Sequence, residues 1–250
     1  MADFPNKHFI QVQDIDLRSE LISNIFSAEH PFMGSYNAKP QEQVFRILNY
    51  NGNTSLFGVI GVEGELSDVT VCDARITGTG QKRSAVMAEV NQGMLMNCVV
   101  EQAVIYSASA TDAALLTVEN SGVIDRCRAQ GTIYTYGSMA GGAVYNEQRM
   151  IRTKVEADLN LTAAGEISSG DELYVGGIAA VNGQAAFIDA CESSSSIQAA
   201  GTLHTPARLY MGGIVGKNSG QVRDGGSLAL FPLEYTNDLI GDAQGGMIAG

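Results

Sequence analysis

The chain has 250 residues, 45% hydrophobic and only 17% charged, against a usual charged share of about 25%. That balance excludes disorder, which needs low hydrophobicity and dense charge, and 29 glycines with 5 prolines point to a β-rich body with many tight corners. A net charge of −12 with 15 basic residues and no basic run excludes nucleic acid held through its phosphates, which needs clustered Lys and Arg.

No apolar stretch reaches the length of about eighteen residues that a membrane span needs, so no membrane insertion is expected. The start, Met-Ala-Asp-Phe-Pro, lacks the basic and apolar regions of a signal peptide. Residues 1–54 read as lead-in strands and a cap. Asp14 and Asp16 read as solvent-facing acids flanking a buried Ile15. Behind an N-cap at Asp16, Leu17, Leu21, Ile22 and Ile25 have helical spacing, which predicts a short helix within 17–30 covering one end of the fold.

From residue 55 to 250 one phrase recurs: a glycine-rich or apolar stretch, then Asn-x-Gly, then a strand. It appears as LFGVIGVEG at 56–64, AVMAEVNQG at 85–93, ALLTVENSG at 114–122, GGAVYNEQ at 141–148, GGIAAVNGQ at 176–184 and GGIVGKNSG at 212–220. Its anchors are Val62, Asn91, Asn120, Asn146, Asn182 and Asn218. Unequal steps between anchors mean a constant core with variable loops. The phrase is followed by strands alternating with period two, clearest at 153–161, where Thr153, Val155, Ala157, Leu159 and Leu161 face one way and Lys154, Glu156, Asp158 and Asn160 the other. Equivalent strands start at Cys127 and at Cys191, the latter after a two-residue insertion.

Residues recurring in the same direction every turn cannot be joined as hairpins. The expected fold is therefore all-β, a right-handed parallel β-helix (β-solenoid) of about six coils with an N-terminal cap. The asparagines and glycines of the phrase are expected at corners that need left-handed backbone, with the Asn side chains hydrogen-bonding along their column. The last copy, GGMIAG at 245–250, stops inside the phrase, so the native protein is expected to continue past Gly250. Leu228 and Leu230 should face outward there and favour end-to-end self-association.

The phrase GGIVGKNSG, followed by a strand opening on Cys with small inward residues, resembles the GLUG repeat, over roughly residues 55–250 and best at 172–220. FIQVQDIDL at 9–17 and PFMGSYN at 31–37 are similar to the lead-in usual in that family, although Ala38 stands where a glycine is expected. The resemblance implies a bacterial surface or secreted habitat, extracellular and adhesin-like, and a non-catalytic role. That role is adhesion to host or matrix glycans or proteins, or the spacing of other domains.

Candidate chemistry is sparse. Val69, Cys98, Cys127, Thr153 and Cys191 fall at one position of the repeat and read as a column of small core residues. A serine at Cys127 is expected to bury an unmatched hydroxyl. Cys72 lies off the column. There is no Cys-x-x-Cys, no His-Glu-x-x-His and no phosphate loop, so no metal, no cofactor and no catalytic residue is assigned. Counting outward ranks places Tyr134, Asn160 and Gln198 in one row and Thr132, Asp158 and Ser196 beside it, a candidate face for carbohydrate binding. The alternative from another class is a β-helix enzyme, lyase or hydrolase, acting on polysaccharide; paired carboxyls flanking a cleft are not evident in the sequence.

Overall fold

The computed structural model describes residues 3–18, 25–78, 83–107, 111–163, 172–201, 208–230 and 242–246. Among the described residues it is all-β, with a single 3-10 turn at Pro40–Glu42, and its strands pair in parallel throughout four sheets. The first sheet stacks Phe57–Ile60, Ala88–Asn91, Thr117–Asn120, Ala143–Asn146, Ala179–Asn182 and Val215–Asn218. The second runs through Glu65–Ser67, Met94–Met96, Val123–Asp125, Arg149–Ile151, Phe187–Asp189 and Gln221–Arg223. The third is the long sheet, whose central strands are Val99–Ser107, Arg128–Thr135 and Lys154–Ala163. The fourth contains Arg83–Ala85, Asp112–Ala114, Met139–Ala140, Glu172–Gly176, Arg208–Gly212 and Asp242–Gly246. The chain visits first, second, third and fourth sheet in that order and then begins again.

This order follows from the period-two pattern, because each strand sends alternate side chains to a shared interior. Leu66, Leu95, Ile124, Met150 and Ile188 align in the second sheet, all fully buried. Ile76, Ile105, Ile133, Leu159 and Ile197 do the same in the long sheet. These aliphatic ladders join one continuous core. A smaller cluster sits apart from it, made of Ala85, Ala114 and Ala140 from the fourth sheet and Val118, Val144 and Ala180 from the first.

The lead-in residues extend two of the sheets. His8–Ile10 pairs with Ser35–Asn37, which pairs with Glu65–Ser67. Ile15–Asp16 pairs with Arg46–Leu48, which pairs with Thr70–Cys72. Ile15 is 37% exposed, not buried as expected, because it lies on the outermost strand of its sheet. Of the helix expected within 17–30, residues 19–24 lie outside the described residues, and 25–30 form bends instead. Backbone pairing wins there: the Ile25 N–H donates to the Leu56 carbonyl, as in a strand. The end of the core is closed by aromatic rings, with Phe26 4.9 Å from Phe32 and stacked on Phe57 at 6.1 Å.

Two expectations about corners are corrected. Asn91 pairs with Ile60, so the first anchor is Ile60, and Val62 sits 70% exposed in a corner two residues longer than its neighbours. The recurring asparagines do not supply the left-handed backbone. Positive φ falls instead on Asp68, Asn97, Arg126, Arg152 and Ala190, directly before Val69, Cys98, Cys127, Thr153 and Cys191 of the column, and on Asp224 before Gly225. The glycines of the phrase are required for contact: a Cβ on Gly93 would lie 2.1 Å from the Gly64 carbonyl oxygen, and one on Gly122 2.2 Å from that of Gly93.

Candidate functional site

The long sheet carries the broadest outward face, and its register sets which side chains meet. Thr132 pairs with Asp158 and Asp158 with Ser196; Tyr134 pairs with Asn160 and Asn160 with Gln198. The two rows therefore stand as counted, about 4.8 Å from strand to strand. One strand earlier they continue through Val104 and Tyr106, then Arg75 and Thr77. The Tyr106 and Tyr134 rings are 6.0 Å apart with their planes at 50°, and Tyr106 is 52% exposed. Two adjacent rings thus lead into an amide row, with a hydroxyl and a carboxylate in the row alongside.

A β-bulge shapes this face. The register shifts between Val100 and Ala103, and Gln102 takes a positive φ of 54°. An extra residue bends the strand and increases its twist. Beside the bulge lies a hollow of about 440 Å³. Gln102, Gln130, Glu156 and Ser194 form one wall, Val104, Thr132 and Asp158 the other, and Ala103, Gly131 and Ala157 the floor. A second hollow of about 350 Å³ is lined by Arg18, Asn49, Asn51, Asp73 and Arg75, and shares Gln102 and Val104 with the first. Of the six residues assigned to this face from sequence, Thr132 and Asp158 line the groove. Tyr134, Asn160, Gln198 and Ser196 flank it.

Ion pairs occupy much of the neighbouring charge. Arg128 donates to Glu156 at 3.0 Å, and Lys154 lies 2.7 Å from Glu192. Among the described residues no cation pairs with Asp158 and no carboxylate pairs with Arg75. Elsewhere, Asp112 accepts hydrogen bonds from the Tyr145 hydroxyl at 2.9 Å and the Ser138 N–H at 3.1 Å. Burial holds its carboxyl above the usual carboxylate range. Tyr174 stacks on Tyr210 at 5.3 Å, and its hydroxyl contacts Glu172 and Lys217.

The cysteine column is buried along its length: Val69, Cys98, Cys127, Thr153 and Cys191 are at most 2% exposed. Burial pushes the Cys191 thiol up to about 11 and the Cys127 thiol well above its ordinary range, so neither is a thiolate nucleophile near neutrality. The position suits a small donor. Cys98, Cys127, Thr153 and Cys191 all direct their side-chain donor at the carbonyl two residues back, Thr153 at 3.1 Å. A hydroxyl at 127 therefore has acceptors on Asp125 and Leu95, which corrects the expectation that serine there would be unmatched. Cys72, off the column, contacts Glu101 at 3.4 Å, and burial raises it to about 11.

Asn91, Asn120, Asn146, Asn182 and Asn218 form a ladder, each amide donating to the next carbonyl oxygen at 2.8 Å. The first four are completely buried. The Asn91 Oδ1 is left without a partner because Ile60 occupies the preceding rung.

Sequence reading missed Tyr106, Arg75 and Gln102 as members of the face. The bulge offsets the period-two count in that one strand, and its only trace is Gln102 interrupting the alternation toward Ala103 and Ile105. Among the described residues no three His, Cys, Asp or Glu side chains converge as a metal site, and no helix is long and apolar enough to cross a membrane. No family model, curated protein or solved structure matches the chain.

Proposed function

We propose that the four parallel sheets wrap as a right-handed β-solenoid of about six coils, serving as a non-catalytic binding module of GLUG-repeat type in a bacterial surface or secreted protein. Handedness follows the strong preference of parallel crossovers. The ligand-binding reading rests on one observation: the exposed Tyr106 ring against the half-buried Tyr134 ring, beside a groove walled by amides, hydroxyls and carboxylates. A sugar needs that combination, since its C–H face stacks on a ring while its hydroxyls take fixed polar partners. The ligand class is therefore carbohydrate on host or matrix surfaces.

The enzyme alternative is less supported. Glu156 and Glu192 are held in ion pairs with Arg128 and Lys154, and Asp73 in the adjoining hollow lies about three layers, roughly 14 Å, from Asp158, beyond the carboxyl separation that glycoside hydrolysis requires. A screen of neutral and acidic glycans, scored for binding and for depolymerisation, tests the reading. Binding without chain cleavage is expected. Cleavage would favour the enzyme, and neither signal would leave a spacer.

A further inference from the structure

We infer that the long-sheet groove takes a linear glycan lying along the stacking direction, neutral over most of its length and carrying one anionic group at the Arg75 end. This rests on the carbohydrate reading above and specifies the ligand's shape and charge.

The two hollows lie side by side, sharing Gln102 and Val104 as lining, and together they cross successive strands rather than following any single one. They pass Arg75, the bulge at Gln102, Gln130 with Thr132, Glu156 with Asp158, and Ser194. Those groups lie on five consecutive layers of the long sheet, four steps apart, or roughly 19 Å from end to end. A sugar unit in an extended chain advances by about one such step, so each layer meets about one unit. An extended peptide, at about 3.3 Å per residue, falls out of register with the layers. The floor residues Ala103, Gly131 and Ala157 are small, which lets a chain sit low between the walls.

Charge sets the direction. Arg75 and Arg18 line one end together with Asp73, and Arg18 is already 3.6 Å from Asp16, which leaves Arg75 as the cation there without an ion pair among the described residues. The other end presents Glu156, matched by Arg128, and Asp158, unmatched among the described residues. Gln102, Gln130 and Thr132 between them are neutral donors and acceptors. A polymer charged at every unit is repelled at Asp158, and the net charge of −12 repels it further. A chain with one terminal anion is not.

The test is calorimetric titration with β-linked gluco-oligosaccharides of two to six units, with the same chains ending in one uronate, and with polygalacturonate. Affinity should rise with length to about four or five units and then level. The terminal uronate should add several-fold, Arg75→Gln should abolish that gain without weakening the neutral chain, and polygalacturonate should bind worst. Arg126→Gln, on an exposed arginine outside the groove, should change nothing. Affinity that levels at two units, or a uronate preference surviving Arg75→Gln, overturns the proposal. If Tyr134→Ala abolishes binding while length and Arg75 have no influence, the carbohydrate reading stands and the groove assignment falls. Failure of every saccharide to bind removes both.

Discussion

Replacing Asn146 with alanine strikes the asparagine ladder at an interior rung. Its Oδ1 accepts from Asn120 and its Nδ2 donates to Asn182, both at 2.8 Å in a fully buried column. Losing two hydrogen bonds costs about 1 kcal/mol each, and stranding the Asn182 Oδ1 adds about 1–3 kcal/mol, for a total of about 3–5 kcal/mol. Asn120 keeps its second bond, to the Arg149 carbonyl at 3.2 Å, so no donor is added to the loss. Asn91→Ala differs in sign at one point. It removes bonds to Asn120 and to the Val123 carbonyl and strands the Asn120 Oδ1, but it also eliminates the Asn91 Oδ1 that is already unpartnered. The two orphan contributions offset, leaving about 2 kcal/mol. Urea unfolding followed by circular dichroism, with the m-value required to stay constant, compares the two variants directly. Asn91→Ala as costly as Asn146→Ala, or an Asn146→Ala cost below about 1 kcal/mol, refutes the reasoning.

Native protein should protect Cys98, Cys127 and Cys191 from a thiol reagent that labels them after denaturation. Cys127→Ser should cost less than about 1.5 kcal/mol, since its hydroxyl can donate to Asp125 or Leu95 as Thr153 donates to Ile151; a larger loss in chemical unfolding argues against those acceptors. Asp112 gives a pH signature. Its folded-state carboxyl is raised by burial, so its contribution is fully present below the ordinary value of 3.8 and is lost as pH rises through the raised value. Asp112→Asn, which can still accept from Ser138 and can donate to the Tyr145 oxygen, should lack that decline; identical pH–stability slopes in both proteins would contradict the assignment.

The strand-level pattern was legible in the sequence wherever alternation ran unbroken. Thr153 to Leu161 shows why: four inward aliphatic residues behind a small threonine, alternating with polar ones, leave no other register. The two-residue insertion after Asn182 was readable for the same reason, because an anchor stands on each side of it. The first anchor was not, since Val62 and Ile60 are both apolar and only pairing with Asn91 separates them. The expected helix at 17–30 was undone, in the described part, by strand-like pairing of Ile25 with Leu56, a long-range contact that local spacing does not encode. The candidate face was half legible. Its two rows followed from alternation at 153–161 and in the strands counted from Cys127 and Cys191, but the bend at Gln102 belongs to a bulge, and with it went Tyr106, Arg75 and the groove itself.

The most direct measurement is a parallel one on wild type, Tyr134→Ala and Asp158→Ala: affinity for whichever glycan the screen selects, with the melting temperature of each protein recorded alongside. Both side chains project outward from the long sheet, so neither truncation opens the core. We expect each variant to weaken binding about tenfold or more, equivalent to about 1.4 kcal/mol, with melting temperatures nearly unchanged. Affinity unaltered in both variants would contradict the assignment of the long-sheet face as the binding surface.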